Sequence, residues 1–155
     1  MKTSQKGIDL ITRFEGVILH SYVCPKGVLT VGVGHTGSDV TKDMVITEKE
    51  AEDLLKQDLK RCENKLTYSI GHDHVVLNQN QFDACISFIF NLGFSAFIFS
   101  TLYKKLKAGD YTGAADEFPK WVYITKTDKL TGERFKVKLK GLETRRKAEK
   151  ELFLS

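Results

Sequence analysis

A chain of 155 residues with 41% hydrophobic and 28% charged residues can bury a core without disulfide staples, as one domain or two closely joined lobes. It holds no apolar run of about 18 residues, so no stable membrane insertion is expected, and Met1-Lys2-Thr3-Ser4-Gln5-Lys6-Gly7 lacks the apolar stretch of a secretory signal. The net charge of +4 is uneven: residues 120–150 carry eleven Lys or Arg against four Asp or Glu, which suits a polyanionic partner but equally a solvated surface.

Ile8, Leu10, Ile11 and Phe14 share one face of a short helix over residues 4–14, with Ser4 as N-cap and Gly16 releasing the chain. Lys26-Gly27 reads as a turn between Ser21-Tyr22-Val23 and the β-branched run Val28-Leu29-Thr30-Val31-Gly32-Val33, giving a small hairpin-based sheet. Gly32 and Gly34 leave room for close backbone approach, which makes Gly32 a candidate substrate contact.

Thr47-Glu48-Lys49-Glu50 carries the spacing of a capping box. Behind it Ala51, Leu54, Leu55, Leu59, Cys62 and Leu66 recur at helical intervals, predicting a helix over 48–66. At 1.5 Å per residue that is roughly 28 Å, long enough to join two lobes. A second helix over 79–91 turns Phe82, Cys85, Ile86, Ile89 and Phe90 inward and closes at Gly93. Ser100 opens another, with Leu102, Tyr103 and Leu106 inside and Gly109 at its end. Asp110 or Thr112 caps a short helix through Phe118, stopped by Pro119.

Residues 122–139 form a hairpin with Asp128 to Gly132 as its turn. The last helix, over 142–153, buries Leu142, Ala148, Leu152 and Phe153. The order helix, small sheet, long helix, then helices is that of an α+β protein. It places a sheet-bearing lobe over 14–47, a connecting helix over 48–66 and a helical lobe over 67–155, with the helix over 4–14 packed near the last. No Pro/Gly/Ser linker divides residues 1–155, so the lobes are expected to fold together.

The cysteines are Cys24, Cys62 and Cys85, an odd count without metal or redox spacing, and reduced thiols are expected. Cys62 and Cys85 fall on apolar helical faces as core packing. His72 and His74 flank Asp73 in a polar loop with too few convergent ligands for a metal, and Trp121 reads as core.

The chemistry concentrates in Phe14-Glu15-Gly16, Tyr22-Val23-Cys24-Pro25 and Leu29-Thr30-Val31-Gly32-Val33-Gly34-His35-Thr36. A carboxyl that ends an apolar helix before a glycine can sit in a partly desolvated cleft, as a general acid for glycosidic cleavage requires. On the pattern alone the more ordinary reading of Glu15 is a surface glutamate at a helix end. Cys24 can likewise be a structural cysteine.

The spacing of Glu15, eight residues, Cys24, five residues and Thr30 resembles the phage-type lysozymes, glycoside hydrolase family 24, which carry Asp or Cys at the middle position. Gly32-Val33-Gly34-His35-Thr36 is similar to that family's Gly-Tyr-Gly-His-Thr segment, with Val33 in place of an aromatic ring beside the cleft. The resemblance continues through Gln81-Phe82-Asp83-Ala84, Asn91-Leu92-Gly93, Ser100-Thr101-Leu102, Gly109-Asp110-Tyr111 and Ala114 to Phe118. It ends in Gly141-Leu142, Arg145-Arg146 and Ala148-Glu149, whereas Pro119 and the long segment from Val122 to Lys140 depart from the family's shorter connection.

The resemblance implies a lysozyme-like fold and cleavage of the β-1,4 bond between N-acetylmuramic acid and N-acetylglucosamine in bacterial peptidoglycan. Glu15 then protonates the leaving oxygen, while Cys24 and Thr30 hold water on the opposite sugar face, which corresponds to inversion of the anomeric centre. Asn91 contacts substrate amides. His35 is structural, paired with an acid near the lobe junction. Arg145 or Arg146 approaches Glu15, where a cation opposes the acid role unless burial wins.

No cofactor, metal or nucleic-acid partner is expected. The chain reads as a monomer that waits in the host cytoplasm for a separate holin to release it to the wall. A lytic transglycosylase, a non-catalytic peptidoglycan-binding protein and a nucleic-acid binder using residues 120–150 remain as alternatives. The first is opposed by the water-holding pair, the second by intact Glu15 and Thr30, and the third by the lack of an aromatic-interleaved basic motif.

Overall fold

The computed structural model describes residues 1–155. Helix α1 spans Gln5–Glu15, and three strands follow: β1 (Ile18–Val23), β2 (Leu29–Gly32) and β3 (His35–Thr36). Six helices come after the sheet: α2 (Glu48–His72), α3 (Gln79–Leu92), α4 (Phe94–Ile98), α5 (Thr101–Lys107), α6 (Tyr111–Glu117) and α7 (Lys140–Leu154). Strands β4 (Tyr123–Thr127) and β5 (Arg134–Lys138) lie between α6 and α7. This is an α+β fold with a small sheet-bearing part, a long helix and a helical part.

Ser4 is the N-cap of α1, but its side chain does not cap its own helix. Its amide donates to Asp83 Oδ1 at 3.0 Å and its hydroxyl donates to Asp83 Oδ2, so a carboxylate of α3 anchors the start of α1. The two helices approach closely because residue 7 is glycine: a Cβ there would stand 2.6 Å from Thr3 Cγ2 and 2.9 Å from Asp83 Cγ. At the other end Gly16, at φ +76°, turns the chain out of the helix toward β1.

In the sheet β2 is central. It pairs antiparallel with β1 through Ile18↔Gly32, Tyr22↔Thr30 and Val23↔Leu29, and with β3 through Thr30↔Thr36 and Val31↔His35. The hairpin turn is closed by Cys24 N to Val28 O at 2.9 Å and Gly27 N to Cys24 O at 2.8 Å. Val31, Val40, Ile46 and Ala51 form a small core under this sheet.

Helix α2 starts with the expected capping box: Thr47 Oγ1 accepts from Glu50 N, and Glu50 Oε2 accepts from Thr47 N. It runs on past Leu66 to His72 because Ile70, one turn further, also enters the core. Ala51 packs against the sheet, whereas Leu55, Leu59, Leu66 and Ile70 join the larger core, so one helix serves both parts. That core is centred on α3, whose residues Phe82 to Ile89 are all buried. Val33 also lies in it at 2% exposure, so this side chain is core and not an element of a cleft wall.

The helical part differs from the sequence reading in its joints. Gly93 ends α3, but the chain turns at once into α4, a helix the sequence reading did not contain. Asp110 caps α6 by accepting from Gly113 N at 2.8 Å, and Pro119 sits inside a 3-10 turn over Phe118–Lys120. Trp121 is half-buried, its ring edge-on to Phe88 at 5.3 Å between centroids. Cys85 is buried and Cys62 half-buried against the core; all three cysteines are free thiols.

Helix α7 starts at Lys140, two residues before the expected position. Its buried residues are Arg145, Arg146, Glu149 and Phe153, while Leu142, Ala148 and Leu152 are only half-buried. The inner face of this helix is therefore mainly charged. Two of the eleven cations counted in residues 120–150 lie inside the protein and not on a basic surface.

Candidate functional site

Glu15 is the last residue of α1, and its side chain is 27% exposed. Its Oε1 accepts from Arg145 Nη1 at 2.5 Å, and its Oε2 has no protein donor. Arg145 comes from α7, which packs across α3, and its side chain is only 4% exposed. Every face of that guanidinium is occupied: Nε donates to Glu149 Oε1 at 3.2 Å and Nη2 donates to the Ser87 carbonyl at 3.2 Å. The Phe14 ring lies 5.8 Å from the guanidinium carbon. An arginine held this way presents one fixed N–H to the carboxyl, so the orientation of Glu15 is set from the core outward.

The network continues behind Arg145. Glu149 Oε1 accepts from Ser87 Oγ at 2.7 Å and from Arg146 Nη2 at 3.1 Å. Arg146 Nη2 also donates to Asn91 Oδ1 at 2.8 Å. Arg146 Nε lies 2.9 Å from Glu149 Oε2 without hydrogen-bond alignment, an ion contact only, and Arg146 Nη1 has no hydrogen-bond partner. Burial holds the Arg146 guanidinium down to about 10 and pushes the Glu149 carboxyl up against the pull of the two arginines. Asn91, half-buried at the end of α3, has its carbonyl oxygen engaged by Arg146, which leaves its amide NH₂ to act as a donor.

A second group stands on the sheet. Thr30, buried in β2, donates its hydroxyl to the Val28 carbonyl at 3.0 Å. Cys24 follows β1 at the mouth of the hairpin turn and is half-buried. The backbone N–H of Val28, then that of Lys26, hold the Cys24 thiol below its usual value of 9.0, with help from the Lys26 ammonium. A thiol so placed has more thiolate character at neutral pH than a free one. The cysteine and the threonine singled out in the sequence are thus neighbours on one hairpin.

Gly32 has a different reason to be glycine from the one the sequence suggested. It is buried at φ +67°, and a Cβ there would meet Ala51 Cβ at 3.4 Å and Ile46 Cδ1 at 3.5 Å. The reason is the left-handed backbone at residue 32, which favours glycine; the contacts to Ala51 and Ile46 are ordinary van der Waals ones. His35 is buried between two carboxylates, with Nδ1 2.9 Å from Asp58 Oδ2 of α2 and Nε2 2.9 Å from Asp39 Oδ2. Burial alone lowers its basicity, but the bonds to Asp58 and Asp39 outweigh it and raise the imidazole above 6.5. It ties β3 to α2 as a structural clamp. His72 lies on the surface beside Asp73.

Ser87 and Glu149 stand in stretches that resemble the family, but neither carries a site role in the sequence reading. A signal for Glu149 was present, since it stands three and four residues after the two arginines and shares their helix face.

Comparison with known proteins places this geometry in context. The family model for phage lysozyme matches residues 12–149. The endolysin of Acyrthosiphon pisum secondary endosymbiont phage 1 is 45% identical over 155 residues, covering 100% of this chain and 99% of that one. The endolysin of Salmonella phage P22 is 38% identical over 159 residues, covering 100% and 99%. Among solved structures, the muramidase domain of SpmX from Asticaccaulis excentricus superposes with a TM-score of 0.84 at 34% identity, covering 99% of this chain and 98% of that one.

Proposed function

Because the chain belongs to the phage lysozyme family of glycoside hydrolases, we propose that it cleaves the β-1,4 bond between N-acetylmuramic acid and N-acetylglucosamine in peptidoglycan by hydrolysis. The observation that carries this reading is the state of Glu15. One carboxyl oxygen is fixed by a buried arginine, while the other is free of protein donors and the side chain is partly exposed.

A proton on Oε2 faces outward and can pass to the leaving glycosidic oxygen; Oε1 stays on Arg145 throughout. Arg145 also stabilises the carboxylate left behind, at no cost of reorganisation. Cys24 and Thr30 hold the water that adds to the anomeric carbon as the glycosidic C–O bond breaks; the proton that water loses passes to solvent, from which Glu15 is reprotonated. The Thr30 proton is committed to the Val28 carbonyl, so Thr30 serves as an acceptor toward that water and Cys24 supplies the second hold. Asn91 offers its NH₂ to an acyl oxygen of the substrate. The reaction needs no cofactor. The chain works as one lysozyme-like unit acting as a monomer at the end of a phage cycle. No helix of it is long and apolar enough to cross a membrane, and its passage from host cytoplasm to wall depends on a separate holin.

The test is digestion of purified peptidoglycan followed by mass analysis of the fragments. Hydrolysis leaves reducing muramic acid ends. Anhydro ends would assign the chemistry to transglycosylation, in which the muramoyl 6-hydroxyl replaces water. Glu15→Gln is expected to abolish cleavage with circular dichroism unchanged, because an amide accepts from Arg145 but cannot act as an acid.

A further inference from the structure

Glu149 takes no part in the steps above, yet its carboxyl is 0% exposed; Oε1 accepts three hydrogen bonds and Oε2 has no hydrogen-bond partner. The Ser87 hydroxyl, Arg145 Nε and Arg146 Nη2 converge on one oxygen, and Arg146 Nε lies beside the other. Burying a lone carboxylate is costly, so a buried carboxylate set between two guanidiniums serves to balance their charge.

We infer that Glu149 is a positioning residue which, through the two arginines beside it, locks the Glu15 carboxyl and the Asn91 amide into one unit and keeps the charge around Glu15 balanced. The inference rests on the reading of Glu15 as the acid.

Arg145 reaches Glu15 with Nη1 only because Glu149 and the Ser87 carbonyl hold its other nitrogens. Arg146 reaches Asn91 with the same Nη2 that binds Glu149. Moving or neutralising Glu149 thus loosens the aim at both ends. It also changes the charge that Glu15 meets. With Glu149 ionised, two guanidiniums face one carboxylate, and a protonated Glu15 sees a net charge of about +1. Without it the net charge is about +2, and the proton that the reaction needs is held less well.

Other ionisable groups near α7 do not disturb this count. The buried Cys85 thiol of α3 is pushed up by burial and stays neutral. Glu117 of α6 is committed to Lys105 and Lys120, and Asp116 to Lys150. Arg13 of α1 lies over the ring of Phe14.

The experiment is the pH profile of kcat/KM on soluble glycan fragments, using the full chain and the variants Glu149→Gln, Glu149→Asp and Arg146→Met, with Glu15→Gln as reference. The readout is the position of the alkaline limb. Glu149→Gln is expected to move that limb down by roughly one pH unit, and Arg146→Met to move it up by a similar amount. Both variants also lower turnover several-fold, since Asn91 loses its hold. Glu149→Asp keeps the charge and is expected to return the limb to its original place while turnover stays reduced.

Opposite shifts in the two variants cannot arise from mere loosening of the helix packing. Limbs that stay put, or that move the same way, overturn the inference, provided Glu15→Gln is inactive. Activity in Glu15→Gln overturns the assignment of the acid itself, a separate failure. If Glu149→Gln does not fold, Arg146→Met and Glu149→Asp decide alone: an unmoved or lowered limb in the former, or a displaced limb in the latter, overturns it.

Discussion

Replacing Cys24 tests how the attacking water is held. Thr30 donates its only proton to the Val28 carbonyl at 3.0 Å, so it can accept from a water but cannot also donate to it. On the proposed reading Cys24 Sγ is the second point of attachment, and the Val28 and Lys26 N–H groups favour its thiolate form. In Cys24→Ala the water keeps one hold and is free to swing by about 1 Å, which costs on the order of a hundredfold in rate. Cys24→Asp offers two acceptor oxygens, ionised throughout the neutral range, and remains active.

The sign of the pH dependence follows from the thiol. Its value is lowered, so the thiolate fraction rises with pH at a point below 9.0. The Asp variant has no such step. The ratio of wild-type to Cys24→Asp turnover should therefore climb from pH 6 to about pH 8.5, the range in which a perturbed thiol ionises. The assay is turbidity loss of permeabilised Gram-negative cells across that range, with each variant's stability measured separately by urea unfolding. Full activity in Cys24→Ala would refute the reasoning and leave position 24 a structural one; a flat ratio would refute the thiolate part alone.

Neutralising Lys136, Lys138 and Lys140 is expected to weaken binding to whole walls more than it slows cleavage of short soluble fragments, and added salt should mimic the effect as the Debye length falls below about 10 Å. Lys138 is already paired with Glu143, so the single Lys136→Gln should account for more of the loss than Lys138→Gln. Equal losses on both substrates would count against this. His35 is raised by Asp58 and Asp39, so its contribution to stability is complete below the unfolded value of about 6.5 and disappears as pH rises through its folded value. Urea midpoints of His35→Asn should lack that alkaline decline, and an identical pH dependence in both proteins would rule the clamp out. Gly7→Ala drives a methyl group into Thr3 and Asp83, at a cost of about 1–3 kcal/mol in unfolding free energy. An unchanged melting temperature would show that α1 can shift away from α3.

Periodicity and punctuation made the helices legible. Thr47 and Glu50 marked the start of α2, Gly93 the end of α3, and Asp128 to Gly132 the turn between β4 and β5, because capping and turn chemistry depend on residues only a few positions apart. The spacing of Glu15, Cys24 and Thr30 was likewise readable. The sheet places Thr30 opposite Tyr22, two residues before Cys24, so a pattern along the chain became a pair in space.

The inner face of α7 was not readable in this way. A hydropathy pattern reports burial through apolar side chains, and it assigned Leu142 and Ala148 inward without marking Arg145, Arg146 or Glu149 as buried. A charge can be buried only where an opposite charge or a set of dipoles waits for it, and those partners stand 130 residues away in Glu15, 58 in Ser87 and 55 in Asn91. The same holds for His35, whose Asp58 lies 23 residues along on α2. Local chemistry determined which elements form and where they stop. Only the docking of α1, α3 and α7 against one another decided which charges could leave water, and hence how Glu15 is held.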